Sequence, residues 1–161
     1  MAAVAASPSA ARRRILVVGG GVAGAETALT LALGLPEDEI VLVSRWPAVR
    51  VLPELVYVPF GVNPRRIDLP LDALATCGVR VVVAEVTSID AEHRTVTTTK
   101  GVFEADVLIA APGAQAIDGG HRSLRTLDDA LRIRAELADT CARAAAGERR
   151  SIVIRSAAEH A

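Results

Sequence analysis

Apolar residues along this chain fall in short unbroken runs separated by glycine, proline and charge, and the runs alternate between two kinds. Arg14-Ile15-Leu16-Val17-Val18 is continuously apolar after its arginine. It is too short for a helix and too uniform for a strand with one wet face, which predicts a parallel strand buried on both sides. Ala25-Glu26-Thr27-Ala28-Leu29-Thr30-Leu31-Ala32-Leu33 follows as a helix, stopped by Gly34-Leu35-Pro36-Glu37-Asp38. Ile40-Val41-Leu42-Val43 is a second buried strand. A right-handed crossover sets the two strands parallel and closes a β-α-β unit.

Trp46-Pro47 through Pro59-Phe60-Gly61 holds too much proline for regular structure throughout, yet Val51, Leu52, Leu55, Val56, Tyr57, Val58 and Phe60 make it unusually apolar for a loop. Such a segment must cover something. Leu69 to Thr76 predicts a short helix ending at Cys77-Gly78, and Val79 to Val83 a third strand. Val86 to Ile89 and Thr95 to Thr99 alternate in polarity across Asp90-Ala91-Glu92-His93-Arg94 and are followed by Gly101, the pattern of an antiparallel meander. Asp106 to Ala111 returns to a buried strand and ends at Pro112-Gly113. Thr126-Leu127-Asp128-Asp129 starts a helix in the manner of a capping box. This helix should run to about Ala146, with Leu127, Leu131, Leu137, Ala138 and Cys141 on its apolar stripe and Arg132, Glu136, Asp139 and Arg143 in solvent. Gly147 ends it, and Ser151-Ile152-Val153-Ile154 begins one more strand.

The chemistry of the chain is concentrated between the first strand and the first helix. Gly19, Gly21 and Gly24, with Val22 and Ala23 between the last two, have the G-x-G-x-x-G spacing of a dinucleotide-binding turn. The first glycine permits the tight turn, the second lets backbone approach a pyrophosphate, and the third lets the helix pack close to the strand. The helix start then faces the phosphates with free N–H groups and the positive end of its dipole.

Composition narrows the field. With 161 residues, 51% of them apolar, the chain suits one domain with a sheet covered on both faces. Eighteen basic against 19 acidic residues create no field that would attract nucleic acid. Cys77 and Cys141 form no metal-type or C-x-x-C cluster and read as reduced structural thiols, compatible with a cytoplasmic location. His93, His121 and His160 lie too far apart to point to a metal site. No run approaches membrane-spanning length. Residues 1–11 read as a flexible tail and Arg12-Arg13-Arg14 as solvating the entrance of the first strand.

The glycine turn, the segment Leu52-Pro53-Glu54-Leu55-Val56-Tyr57-Val58-Pro59-Phe60-Gly61, the stretch Val79 to Asp90 and the block from Ala105 to Ala114 together resemble the amino-terminal half of pyridine-nucleotide-disulfide-type flavoproteins. Type II NADH dehydrogenases and sulfide:quinone oxidoreductases are similar in appearance. The resemblance implies that FAD is held by Gly19, Gly21, Val22, Ala23, Gly24, Ser44, Arg45, Val86, Ala111, Pro112 and Gly113, with Pro53 near the flavin. It implies NAD(P)H as co-substrate in the full-length family, an acceptor such as a quinone, and a location peripheral to the membrane there. Ser44 stands where the family usually carries a ribose-binding carboxylate, and Pro112 where it usually has threonine. Asp106 is similar to the family's acidic residue before the last strand, which implies a backbone-fixing role for it. No side chain is assigned as a general base and none as a metal ligand.

These readings converge on an α/β fold: a Rossmann-like FAD/NAD(P)-binding domain over residues 12–148, a parallel sheet with an antiparallel β-meander. Residues 149–161 are expected to start an NAD(P)H-binding domain absent from this sequence, so that the fold is truncated relative to the family. The expected activity is FAD-dependent NAD(P)H oxidation, carried by a fragment or incomplete form. The alternatives are a non-catalytic nucleotide-binding remnant, or one half of a split flavoprotein that needs a partner chain; the partners expected are a complementing flavoprotein half or, in a homo-oligomer, further copies of this chain.

Overall fold

The computed structural model describes residues 12–113, 124 and 126–153. In chain order the strands and α-helices are β1 (Arg14–Val18), α1 (Val22–Gly34), β2 (Glu39–Ser44), β3 (Ala48–Arg50), β4 (Asp68–Pro70), β5 (Val79–Val83), β6 (Val86–Asp90), β7 (Thr95–Thr98), β8 (Gly101–Glu104), β9 (Val107–Ala110) and α2 (Leu127–Ala145). Three 3-10 helices, Leu52–Phe60, Pro64–Arg66 and Leu71–Cys77, lie between them. Expectations for residues 1–11, His121, Ile154 and His160 fall outside the described residues.

Four strands form a parallel sheet in the order β5-β2-β1-β9. All four were legible as apolar strands, but only β1 and β2 are buried along their length; the burial expected of the strand after Asp106 is corrected, since β9 is exposed at Val107 and Ala110 and half-buried between them. In the two central strands side-chain alternation explains why the runs are unbroken. Ile15 and Val17 of β1 and Ile40 and Leu42 of β2 point to one face, where Ala28 and Ala32 of α1 and Leu71 complete a buried cluster. Leu16, Val18, Val41 and Val43 point to the other, where they meet Val96 of β7 and Ala84, with Val86 and Phe103 packed at the edge. Helix, parallel sheet and antiparallel sheet therefore make three layers, and a strand with two dry faces has no position for a polar residue.

The second sheet is the expected meander, β6-β7-β8, extended by a strand the sequence reading did not separate, Gly101–Glu104. The proline-rich stretch contributes β3, which pairs antiparallel with β4, where Arg50 grips Asp68 through two bonds of 2.8 and 3.0 Å.

The described chain divides into two units. One holds the residues up to Val51 and from Ile67 to Gly113, including every strand. The other joins Leu52–Arg66 to α2, with Leu55, Val58 and Ala130 buried. α2 starts as expected: the Thr126 hydroxyl accepts from the Asp129 N–H at 3.1 Å, and the Asp129 carboxylate accepts from the Thr126 N–H at 3.0 Å. The apolar stripe expected along this helix is corrected. Cys141 and Leu131 are exposed, and Cys77 is exposed as well, so neither thiol belongs to a core. For Cys141 the reason is length. A helix of 19 residues extends about 28 Å, whereas its partner, a 3-10 helix of nine residues, extends about 18 Å. The expected strand at Ser151 is also absent: Ser151–Val153 are exposed and form no strand.

Charge is gathered at the amino-terminal end of the parallel sheet. Arg13 bonds Asp38 at 2.6 Å, and Glu39 takes Arg14 at 2.9 Å and Arg80 at 3.3 Å. Asp106 accepts the Arg14 N–H at 2.7 Å, the backbone role expected for it. The Arg14 bond lowers the Glu39 pKa below its ordinary 4.5, the Arg13 bond lowers Asp38 below 3.8, and the Arg50 bond does the same for Asp68. A carboxylate with a lower pKa folded than unfolded stabilises the fold above its unfolded value, and loses that contribution as pH falls through its folded value. The urea midpoint is therefore expected to hold from neutral pH down to about 5 and to decline below it. Glu39→Gln should flatten that decline, and a midpoint unchanged down to pH 3 would contradict the assignment.

Candidate functional site

The sheet order creates the site. The chain runs from β1 to β2 to β5 in one direction and returns to place β9 on the other side of β1. At such a reversal the loops leaving neighbouring strands diverge, opening a crevice outside their carboxyl ends. The turn Gly19–Gly24 lies at that reversal. Ser44 and Arg45 leave β2 on one side of it, with Glu85 and Val86 beyond them after β5, and Ala111, Pro112 and Gly113 leave β9 on the other. Every site residue expected in the first unit is thus at one end of the sheet. Pro53 lies in the second unit, exposed in the 3-10 helix Leu52–Phe60.

Backbone hydrogen bonds and missing Cβ atoms hold the turn. The Gly19 N–H donates to the Val43 carbonyl at 2.8 Å, and the Ala111 N–H to the Val18 carbonyl at 2.7 Å. Gly19 has φ +112°, and a Cβ there would fall 2.0 Å from the Ala111 carbonyl oxygen. A Cβ on Gly24 would lie 1.7 Å from the Gly19 carbonyl oxygen, the close helix–strand contact expected of the third glycine. Gly21 differs: its φ is −76°, and a Cβ would meet nothing within 4 Å. Its missing side chain leaves free space outside the turn.

Gly21 is also the N-cap of α1, without a capping side chain and with no acidic residue in the first turn. The first helical bond is Ala25 N–H to the Gly21 carbonyl at 2.9 Å, so the N–H groups of Val22, Ala23 and Gly24 precede the helical ladder. Val22 and Ala23 are exposed. These amides and the dipole favour an anion at the helix start.

Two features were not legible. Gly20 carries no expected role, yet a Cβ on it would lie 2.0 Å from the Ser44 Oγ. Ser44 itself is buried; its hydroxyl donates to the Trp46 carbonyl at 2.7 Å and accepts the Trp46 N–H at 3.2 Å. Arg45 points outward, 3.5 Å from Glu85 and with its guanidinium carbon 5.4 Å from the centre of the Trp46 ring. A serine at a strand end signals only a small polar residue, and its partner depends on how the chain turns two residues later. Among the described residues no group of three His, Cys, Asp or Glu side chains converges on a metal position, and no helix is long and apolar enough to cross a membrane.

The profile of the family described as pyridine nucleotide-disulphide oxidoreductase matches residues 13–154. Over 111 residues the chain is 36% identical to an NADH dehydrogenase-like protein of Mycobacterium tuberculosis, covering 65% of this chain and 27% of that protein. Over 106 residues it is 34% identical to a type II NADH:quinone oxidoreductase of Staphylococcus epidermidis, covering 63% and 26%. The structure of the sulfide:quinone oxidoreductase of Aquifex aeolicus superposes with a TM-score of 0.74 at 29% identity, over 81% of this chain and 32% of that one. The chain thus spans about a quarter of the length of these curated relatives.

The glycines separate experimentally. Gly19→Ala and Gly24→Ala should each lower the melting temperature, because a Cβ in contact with backbone costs about 1–3 kcal/mol or more. Gly21→Ala should change it little, because the gain of about 0.4–1 kcal/mol through the unfolded chain is offset by alanine's poorer fit to the N-cap of α1. Equal destabilisation by all three would refute this division of roles.

Proposed function

Because the chain belongs to the pyridine nucleotide-disulphide oxidoreductases, we propose that its glycine turn is the FAD pyrophosphate site of a flavin-dependent oxidoreductase. Hydride from NAD(P)H would pass through FAD to an acceptor such as a quinone. One observation carries the reading. The open start of α1, with Gly21 facing free space and the Val22 and Ala23 amides exposed, lies at the carboxyl end of β1 where the strand order reverses. The residues fit the group: the space a Cβ on Gly21 would fill is the space a pyrophosphate needs, and three amides that precede the helical ladder can meet its charge.

FAD supplies the redox chemistry in such a protein, and the chain supplies position and electrostatics. Gly19 and Gly24 keep the turn tight against Ala111. Val22, Ala23 and Gly24 present their amides to the pyrophosphate, Val86 borders the adenosine end, and Ala111, Pro112 and Gly113 border the side toward the flavin. Ser44 takes a restricted part, because its hydroxyl already serves the Trp46 backbone and it lacks a carboxylate to accept from the ribose. Absence of that carboxylate weakens FAD by about 1–3 kcal/mol, roughly five- to 150-fold.

Titration with FAD, followed by quenching of flavin fluorescence, tests the assignment. The wild-type chain is expected to bind reversibly, and Gly21→Val to lose at least tenfold in affinity with an unchanged melting temperature. Undiminished FAD affinity in a folded Gly21→Val protein would move the cofactor away from this turn.

A further inference from the structure

We propose that Trp46 is the platform on which the adenine of the bound cofactor stacks, and that buried Ser44 is the positioning residue that braces it. This rests on the reading of Gly19–Gly24 as the FAD pyrophosphate turn and adds a contact at the far end of the same cofactor.

With a pyrophosphate at the first turn of such a unit, the adenosine ribose falls at the end of the second strand and the base lies beyond it. Here that strand is β2, which ends in Ser44, and the next residues are Arg45 and Trp46. Trp46 is the one tryptophan of the chain, and it is 65% exposed.

Its backbone is nevertheless held on both sides. The Ser44 hydroxyl accepts the Trp46 N–H at 3.2 Å and donates to the Trp46 carbonyl at 2.7 Å, so one buried side chain engages both backbone groups. Pro47 follows and restricts the backbone of the residue before it. The Pro47 carbonyl in turn accepts the N–H of Leu71, a core residue, at 2.9 Å. An aromatic side chain with two rotatable bonds on a fixed backbone loses little freedom when a base stacks on it. Ser44 thereby acts on the cofactor through the ring it braces.

The cation beside the ring is held loosely. The Arg45 guanidinium carbon stands 5.4 Å from the ring centre, and its pair with Glu85 is a 3.5 Å contact between two exposed side chains. Pairs of this kind are weak, so Arg45 yields to an arriving base. The Glu85 backbone is fixed independently, donating to the Thr99 hydroxyl at 3.2 Å and accepting the Thr99 N–H at 2.9 Å. Movement of Arg45 therefore leaves the loop after β5 in place.

Tryptophan fluorescence of the full chain reports Trp46 alone, and its titration with 5′-ADP tests the proposal. Saturable quenching is expected, with the same affinity that calorimetry gives. Trp46→Ala should weaken 5′-ADP about fivefold or more with a nearly unchanged melting temperature, and Trp46→Phe should recover most of that loss. Ser44→Ala should lower the anisotropy of the Trp46 emission and weaken 5′-ADP less than Trp46→Ala does. If 5′-ADP binds calorimetrically without quenching, or binds Trp46→Ala as tightly as the wild type, the inference is overturned and the pyrophosphate turn stands. If neither 5′-ADP nor FAD binds, both readings fall. Quenching with undiminished affinity in Gly21→Val would put the nucleotide elsewhere and also overturn the proposal.

Discussion

The close approach of three backbones at the carboxyl end of β1 governs this structure. β1 is central in the parallel sheet, and its exit must pass between the exits of β2 and β9. The Gly19 amide is tied to Val43 on one side, and the Ala111 amide to Val18 on the other. No side chain fits in that passage: a Cβ on Gly19 would strike the Ala111 carbonyl, on Gly20 the Ser44 hydroxyl, and on Gly24 the Gly19 carbonyl. Three of the four glycines in the turn thus serve the packing of the sheet and its helix. Gly21 alone faces outward, and the space beside it is the space a ligand would use. Neighbouring glycines thus leave out a side chain to two different effects, close packing at three positions and open space at the fourth.

The layered core follows from the same passage. Once α1 is held against β1 at the Gly24–Gly19 contact, Ala28 and Ala32 fall on the sheet, and their small size keeps the helix close along its length. The opposite face receives the meander, whose Val96 meets Leu16 and Val41. With both faces dry along β1 and β2, the ionic groups lie at the sheet's ends, and most of them at its amino-terminal end.

What was legible in the sequence was whatever local order reports. Runs such as Ile40–Val43 announced burial on two faces, and Thr126 with Asp129 announced a helix start, because each rests on residues a few positions apart; the backbone contact of Asp106, made to Arg14 far away in the chain, was expected only through the family resemblance. Contacts between distant segments were not legible. Leu52–Phe60 was recognised as too apolar for a free loop, but nothing in it specifies α2 as its companion in the second unit. The stripe on α2 indicated that one side could be buried without indicating how long its partner would be, so Cys141 was placed inside and is outside. At the site, the spacing of glycines located the turn. The steric demand on Gly20 and the engagement of Ser44 depend on β2 lying beside β1, which no window of a few residues contains.

The amino-terminal ion pairs have a consequence for how such a protein can change over evolutionary time. β1 is five residues long, so Arg14 and the turn are separated by about 16 Å of strand. That is about twice the screening length at physiological salt. Substitutions that far apart, with no shared partner, contribute independently. The cluster around Arg14, Glu39 and Arg80 can therefore drift in charge, acid tolerance or heat resistance without disturbing ligand choice at the other end. The reverse holds too: Ser44 and Arg45 can be exchanged while the far end holds the sheet closed. One short strand separates durability from selectivity, so each is free to evolve on its own.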